Sequence, residues 1–216
     1  ESVILTSATL KAPQTLRSPF EFTLHRLGLG ADDCATLEVD SPFDYARQAA
    51  LYIPQHLPEP SSQNWTLHFA REVFQLLKLC DGRAFVLFTS LKHMREVYAL
   101  VAPHLTYQVL IQGDAPRKEL IETFRKRSSV LFASQSFWEG VDVPGDALSL
   151  VIIDRLPFAP PNDPLQAARM KAIADRGGSP FDDYQLPQAA LSLRQGFGRL
   201  IRTASDRGIV ALGDVR

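Results

Sequence analysis

Short runs of β-branched and aromatic residues alternate along the chain with longer stretches in which apolar residues recur every three or four positions. The first pattern is typical of buried strands and the second of amphipathic helices. Their alternation predicts an α/β fold with a mostly parallel sheet and helices on both of its faces. We expect strands over residues 35–39, 50–53, 84–88, 107–111, 130–133, 148–153 and 209–212, and helices over 65–79, 91–102, 117–126, 164–174 and 187–202.

The segment 65–79 has the clearest helical pattern. Asp81 and Gly82 follow it and are predicted to end the helix. Two further stretches, 157–164 with its four prolines and 176–180, are predicted to be loops. The apolar positions expected to form the buried face of the first helix are Leu67, Ala70, Val73, Phe74 and Leu77.

The composition limits the possible partners. The 216 residues include 23 basic and 24 acidic side chains, so any binding of nucleic acid has to be local. Two cysteines, Cys34 and Cys80, are too few for a disulfide framework, a four-cysteine zinc site or an iron–sulfur cluster, and a reduced cytosolic setting is expected. The sequence has no apolar run of about 18 residues and no charged-then-apolar leader, so we expect neither a membrane span nor a signal peptide.

Near the end of the chain stands the pattern Q-x-x-G-R-x-x-R, which begins at Gln195. At about 3.6 residues per turn, Gln195, Arg199 and Arg202 are predicted to share one stripe of a helix. Gly196 and Gly198 each weaken a helix by about 1 kcal/mol, which suggests that a ligand approaches the backbone closely. The pattern therefore favours contact with a polyanion such as a nucleoside triphosphate over a solvated arginine face.

Two shorter motifs follow predicted strands. Glu139, Gly140 and Asp142 form an E-G-x-D turn, in which Asp142 is suited to accept hydrogen bonds from a ribose hydroxyl or from an arginine of the later motif. The sequence S-A-T at residues 7–9 follows an apolar run at 3–5 that has the pattern of a strand. Alone, each of these motifs is also typical of an ordinary turn.

Together these elements resemble motifs III, V and VI of superfamily two helicases, and more narrowly the bacterial DinG/YoaA relatives of the XPD helicase. The residues that carry the resemblance span nearly the whole chain: T-S-A-T-L at 6–10, L-F-T-S at 87–90, F-W-E-G-V-D at 137–142, D-R-L-P-F at 154–158 and Q-x-x-G-R-x-x-R at 195–202.

The resemblance implies a RecA-like second motor domain over residues 11–216, with residues 1–10 forming the end of the first motor domain. The first residue is Glu1 and a strand-like run follows it at once, so the chain is expected to be cut from a longer protein. Neither the Walker A pattern G-x-x-x-x-G-K-[ST] nor a D-E-A-H box occurs in the sequence. Alone, the chain is not expected to hydrolyse ATP.

The resemblance also assigns roles around a nucleotide. Arg202 and Arg199 are implied as contacts of the γ-phosphate, with Arg202 first as the arginine finger, and Gln195 is implied to orient the nucleotide or the attacking water. ATP with Mg²⁺ would be shared with the missing first domain. A 4Fe–4S cluster is implied for the parent protein and none for this segment. The residues implied to line the nucleotide cleft are Glu139, Gly140, Asp142 and Gly198.

A nucleic-acid strand is implied at the opposite edge of the sheet, where residues that begin helices or end strands contact it. Ordinary capping and turn roles are the alternative for each of these residues. Ser7, Ala8 and Thr9 are implied to couple the nucleotide state to this track. The implied nucleic-acid contacts are Thr89, Ser90, Gln112, Gly113, Ser136 and Arg155.

The sequence thus leads us to expect the C-terminal half of an ATP-dependent DNA helicase that moves 5′ to 3′ on single-stranded or forked DNA in repair or replication. Its implied partners are single-stranded DNA, its own N-terminal motor domain and a subunit of the replication clamp loader, with no membrane. Two alternatives are a noncatalytic RecA-like docking module that binds a partner or nucleic acid, and half of an RNA-remodelling ATPase.

Overall fold

The computed structural model describes residues 3–7, 9–12, 19–134, 137, 143, 147–159, 163–198 and 200–216. The chain divides into two compact units. The first consists of Glu1–Asp40 and Pro157–Gln195, and the second of Ser41–Leu156 and Gly196–Arg216. Each unit is described in turn.

The second unit is built on a parallel sheet, as the sequence predicts. The strand order is β1-β6-β5-β2-β4-β3, and every neighbouring pair is parallel. The strand predicted over 35–39 lies outside this unit and is wrong, since its side chains are exposed and offer no face to bury. The strands are β1 (Ala49–Tyr52), β2 (Ala84–Phe88), β3 (Gln108–Ile111), β4 (Ser129–Ser134), β5 (Leu150–Ile153) and β6 (Gly208–Leu212).

Seven α-helices lie in the described residues, and all five predicted helices are among them. The largest difference is at the C-terminal end of the last helix, which stops at Phe197 instead of residue 202. A π-helical turn, Phe181–Gln185, leads directly into that helix. The helices are α1 (Glu21–Leu27), α2 (Tyr45–Gln48), α3 (Trp65–Leu79), α4 (Leu91–Val101), α5 (Arg117–Lys126), α6 (Pro164–Asp175) and α7 (Leu186–Phe197).

Helix α3 packs one face into the core of the second unit. Leu67 was expected in its buried face but is 46% exposed, because the face that packs is centred on Trp65 and Phe69 instead. The helix ends as predicted, since Asp81 has φ 49° and Gly82 has φ 87°, both in the left-handed region that stops a helix. Its buried residues are Trp65, Phe69, Ala70, Val73, Leu76 and Leu77.

The sheet buries side chains on both faces, because successive residues of a strand point to opposite sides. Val86 and Phe88 belong to the core cluster that includes α3 and α4. Phe85, the residue before Val86, packs on the other side against Phe124 of α5 with ring centroids 4.6 Å apart. Strand β2 is buried along its whole length, which explains its uninterrupted apolar sequence.

The first unit has a smaller core. Phe22 of α1 and Tyr184 of the π-helical turn lie with ring centroids 6.1 Å apart, and Arg169 of α6 donates to the Tyr184 hydroxyl at 3.0 Å. Ala12 and Leu191 complete the buried cluster. The strand predicted over residues 3–5 is not formed in this chain: Val3–Ser7 lie outside any strand, and the first two side chains are more than 80% exposed.

Candidate functional site

The residues that follow the strands lie at one edge of the sheet, because all six strands run in the same direction. We call it the carboxyl edge. The strand order places the ends of β5, β2, β4 and β3 side by side. The structure therefore brings five of the six predicted nucleic-acid contacts to this edge: Thr89 and Ser90 after β2, Gln112 and Gly113 after β3, and Arg155 after β5.

A buried carboxylate organises the middle of the carboxyl edge. Asp154 directly follows β5 and is fully buried. It accepts hydrogen bonds from the backbone N–H of Thr89 at 2.9 Å, from the Thr89 hydroxyl at 3.2 Å and from the backbone N–H of Arg155 at 2.7 Å. Asp154 therefore ties the loop after β2 to the loop after β5.

Burial raises the pKa of Asp154 to about 7, although the hydrogen bonds from Thr89 and Arg155 favour its charged form. The sequence analysis did not single out this residue as a site. The signal available was a carboxylate placed directly after a continuous apolar strand, where a buried charge needs partners.

The Arg155 guanidinium lies over an aromatic ring. Its guanidinium carbon is 4.1 Å from the centroid of the Trp65 indole, a distance typical of a cation–π contact. Trp65 is fully buried, and its Nε1 donates to the carbonyl of Gly213 at 3.2 Å. The ring is thus a fixed platform that holds the Arg155 side chain at the carboxyl edge.

The other predicted contacts at this edge have structural roles as well. The Gln112 side-chain oxygen accepts from the backbone N–H of Ser134 at 2.7 Å and from its hydroxyl at 2.9 Å, which links the ends of β3 and β4. Gly113 has φ 112°, a conformation that side chains other than glycine rarely adopt. Ser90 precedes α4 without a side-chain capping bond within the described part of the chain.

The arginine motif is not one continuous helical stripe, so this prediction is wrong. Helix α7 ends at Phe197, which leaves Gln195 on the helix and Arg202 in the loop that leads to β6. Gly196 and Gly198 weaken the helix at the point where it ends. Beyond that point the backbone N–H of Leu200 donates to the Phe197 carbonyl at 3.0 Å.

A second buried carboxylate fixes the Arg202 loop. Asp206 accepts from the backbone N–H groups of Arg202 and Thr203, both at 2.8 Å, and from the Thr203 hydroxyl at 2.6 Å. The Gln48 amide, just before β1, donates to the carbonyls of Thr203, Ala204 and Asp206 at 2.9–3.2 Å. The loop therefore lies beside the starts of β1 and β6, at the edge opposite to the carboxyl edge. We call it the amino edge.

Arg202 is half-buried in this fixed loop, and an arginine stays charged at neutral pH. Its setting therefore fits contact with a phosphate group. Gly198 follows α7 directly. Among the predicted coupling residues, the Ser7 and Thr9 hydroxyls are 3.1 Å apart. The predicted site residues that lie outside the described residues are Ala8, Ser136, Glu139, Gly140, Asp142 and Arg199.

Within the described ranges, no group of three or more His, Cys, Asp or Glu side chains could hold a metal ion. Cys34 and Cys80 are both free thiols. Burial raises the pKa of the Cys80 thiol. In the same part of the chain, no helix is both long and apolar enough to cross a lipid bilayer.

Comparison with known sequences supports the resemblance. The profile of the helicase C-terminal domain family matches residues 73–216. The ATP-dependent DNA helicase YoaA of Escherichia coli K12 is 43% identical over 216 residues, which are all of this chain and 33% of that protein. The ATP-dependent helicase DinG of Mycobacterium tuberculosis is 41% identical over 218 residues, covering all of this chain and 32% of that protein. The chain thus spans about a third of these relatives.

Solved structures agree in fold. An XPD helicase superimposes with a TM-score of 0.66 at 18% identity, covering 99% of this chain and 39% of that one. Xpd4 of S. tokodaii superimposes with a TM-score of 0.65 at 13% identity, covering 86% of this chain and 37% of that one. These structures show the fold, and the family profile that matches residues 73–216 shows that the chain belongs to the helicase C-terminal domain family.

Proposed function

We propose that the chain is the C-terminal motor half of an ATP-dependent DNA helicase, which moves 5′ to 3′ on single-stranded or forked DNA during repair or replication in the cytoplasm. The observation that carries this proposal is the separation of Arg202 from the predicted nucleic-acid contacts that the structure describes. Arg202 lies at the amino edge, and the strand-following polar residues lie at the carboxyl edge. One domain can thus present one edge to a nucleotide and the other to a nucleic-acid strand.

At the amino edge, Arg202 contacts the γ-phosphate of ATP and acts as the arginine finger. Arg199 is proposed from its place in the motif as a second γ-phosphate contact. Gln195 orients the nucleotide or the attacking water. The first motor domain of the parent protein supplies the P-loop and the Mg²⁺ ligands, and bound ATP supplies the phosphoryl group. A planar guanidinium stabilises the charge that develops on the phosphate better than a lysine ammonium can. The remaining cleft residues in this proposal are Glu139, Gly140, Asp142 and Gly198.

At the carboxyl edge, a single strand of DNA lies across the ends of β5, β2, β4 and β3. The motor contacts mainly the sugar–phosphate backbone, so its grip is independent of base sequence. Ser7, Ala8 and Thr9 link this track to the nucleotide state. A clamp-loader subunit is a further proposed partner of the parent protein. The proposed strand contacts are Thr89, Ser90, Gln112, Gly113, Ser136 and Arg155.

The test is DNA-stimulated ATP turnover by the full-length protein, wild type beside Arg202→Ala and Arg202→Lys. We expect both variants to lose a factor of about 10³ to 10⁵ in turnover, the range measured for arginine fingers. Nucleotide binding and affinity for single-stranded DNA should be largely kept.

The matched control is Arg71→Ala, which removes an exposed arginine of α3 far along the chain from the motif. It should turn over ATP like the wild type. Wild-type turnover in Arg202→Ala would contradict the motor assignment and leave a noncatalytic docking module as the better account.

A further inference from the structure

Two buried polar atoms at the carboxyl edge have no hydrogen-bond partner among the described residues. They are Nε of Arg155 and Nδ1 of His93. A buried polar group without a hydrogen bond costs about 1–3 kcal/mol, so such atoms are uncommon in folded proteins. Both atoms are therefore candidates to bond to a group from outside the chain.

The two side chains lie against the same rigid ring. The Arg155 guanidinium stacks on the Trp65 indole at 4.1 Å, and the His93 ring centroid is 6.0 Å from the indole centroid. Trp65 cannot shift easily, because it is fully buried and bonded to the Gly213 carbonyl. This arrangement holds both unsatisfied atoms in place before any ligand arrives.

The nearby carboxylates are already engaged. Asp154 accepts from Thr89 and from the Arg155 backbone, not from the guanidinium. Asp214 accepts from Arg216 at 2.8 and 3.0 Å and from the Leu156 backbone N–H. Within the described residues, Arg155 has no carboxylate in ion-pair contact. Its positive charge is half-buried.

The electrostatics of His93 favour a negative group beside it. Burial lowers the pKa of His93, and the positive charges of Arg155 and Lys92 lower it further against the opposing effect of Glu96. Burial likewise lowers the pKa of Arg155, opposed by the charges of Asp154, Asp214 and Glu96. A negative group close to both side chains would raise both pKa values.

We propose that Arg155 Nε and His93 Nδ1 together donate hydrogen bonds to one phosphate group of a bound nucleic-acid strand. This inference rests on the proposed function, since it names a new residue, His93, and a specific clamp within the proposed track. His93 donates in the tautomer that carries its proton on Nδ1. A phosphodiester fits better than a base edge, because the site offers two donors and the half-buried positive charge of Arg155, while the fully buried Trp65 ring cannot stack on a base.

The experiment uses the full-length protein and short single-stranded oligonucleotides in which one phosphate at a time is replaced by an uncharged methylphosphonate. With the wild type, we expect one position at which the methylphosphonate weakens DNA binding about tenfold, because the clamp loses a charge-assisted contact there. In His93→Leu and Arg155→Gln that position should lose its penalty, while the penalties at other positions remain.

Further comparisons distinguish a hydrogen bond to one phosphate from a general loss of binding. His93→Asn places an amide N–H near the former Nδ1 and should restore the penalty at the clamped position. The double variant should bind no more weakly than the weaker single variant, because both act on one phosphate. Arg155→Gln should also reduce the slope of log affinity against log salt by about 0.7, the value of one cationic contact to a single strand. The His93 variants should leave this slope nearly unchanged, because the pKa of His93 is lowered and its neutral ring replaces no counter-ion. Lys92→Met, which removes an 81% exposed charge next to His93, is the matched control and should keep the clamped position.

If the penalties are unchanged in both single variants, the clamp is refuted while the proposed DNA track stands. If wild-type protein does not bind single-stranded DNA at all, the proposed function fails together with the clamp. If His93→Asn behaves like His93→Leu, the histidine acts only through packing and the inference is wrong.

Discussion

The two edges of the sheet are each organised by one buried aspartate, and the two aspartates make nearly the same set of bonds. Asp206 at the amino edge and Asp154 at the carboxyl edge each accept from two backbone N–H groups and one threonine hydroxyl. They differ in reach. Asp206 bonds to residues three and four positions before it, whereas Asp154 bonds to Thr89, 65 positions away.

This difference determines how each edge responds to change. The loop of Arg202 is a local structure that one segment of chain can form, with Gln48 as its one described side-chain brace from outside. The carboxyl edge is assembled from loops that are distant in sequence, and it needs the sheet and the Trp65 platform before its parts meet. We therefore expect damage to the core to affect the carboxyl edge first.

The largest effect is expected for Trp65→Ala. Removing a fully buried tryptophan should lower the free energy of unfolding by about 3–5 kcal/mol, because it leaves a cavity and removes the support of Arg155. Urea unfolding of the 216-residue chain measures this. Trp65→Phe is the control and should lose less, since it keeps most of the packing. A loss below about 1 kcal/mol in Trp65→Ala would show that the platform is dispensable.

A comparably large effect is expected in the pH dependence of stability. The Asp154 pKa is about 7 in the folded chain and about 3.8 unfolded. Between these values the folded chain binds more protons, so the free energy of unfolding falls as pH rises through this window and levels off above it. At about 1.4 kcal/mol per pH unit, the full fall is about 4 kcal/mol relative to Asp154→Asn, which does not titrate.

Unfolding of wild type and Asp154→Asn at several pH values measures this difference directly. Comparing the two proteins removes the contributions of His93 and Asp214, which titrate in both. A difference that stays constant from pH 4 to pH 7 would contradict burial of the ionised carboxylate as the cause.

The two aspartates can be separated by function. Asp206→Ala should slow DNA-stimulated ATP turnover and keep DNA affinity, while Asp154→Ala should weaken DNA affinity. Each should also destabilise the chain by about 1–3 kcal/mol, because buried N–H donors lose their acceptor. Turnover and DNA binding measured on both full-length variants decide the matter. If both variants lost ATP turnover and DNA affinity to the same extent, the two edges would not have separate functions.

The smallest effect is expected for Gln48→Ala. Its amide donates to three carbonyls of the Arg202 loop, which can partly turn to water when it is removed, so we expect a loss of about 1 kcal/mol. Turnover should fall only slightly, since Asp206 still holds the loop. Thermal unfolding and ATP turnover measure the two effects. A loss of turnover as large as that of Asp206→Ala would show that Gln48 and not Asp206 sets the loop.

Much of the fold follows from local sequence. The buried run of β2 and the helical spacing in α3 both fix their elements within one segment, and the parallel sheet makes strand-following residues neighbours. The hydrogen bonds between Asp154 and Thr89 depend on β5 and β2 being neighbours in the sheet. No local sequence pattern predicts which strands are neighbours. The two glycines that suggest ligand contact also weaken the helix, which is why α7 ends at Phe197 and not at residue 202 as predicted.

The strand order has a consequence for biosynthesis. Among the strands of the described residues, β1 pairs with β6 alone, in a register that sets Ala49 opposite Gly208, and β6 lies between β1 and β5. While the ribosome is still translating residues before 208, β1 has no neighbour to pair with. The sheet therefore closes only when the last strand emerges and inserts at its place, and contacts that far apart in sequence form slowly. Until then, the nascent chain exposes the edge of β5, a site where chaperones would bind and premature aggregation would begin.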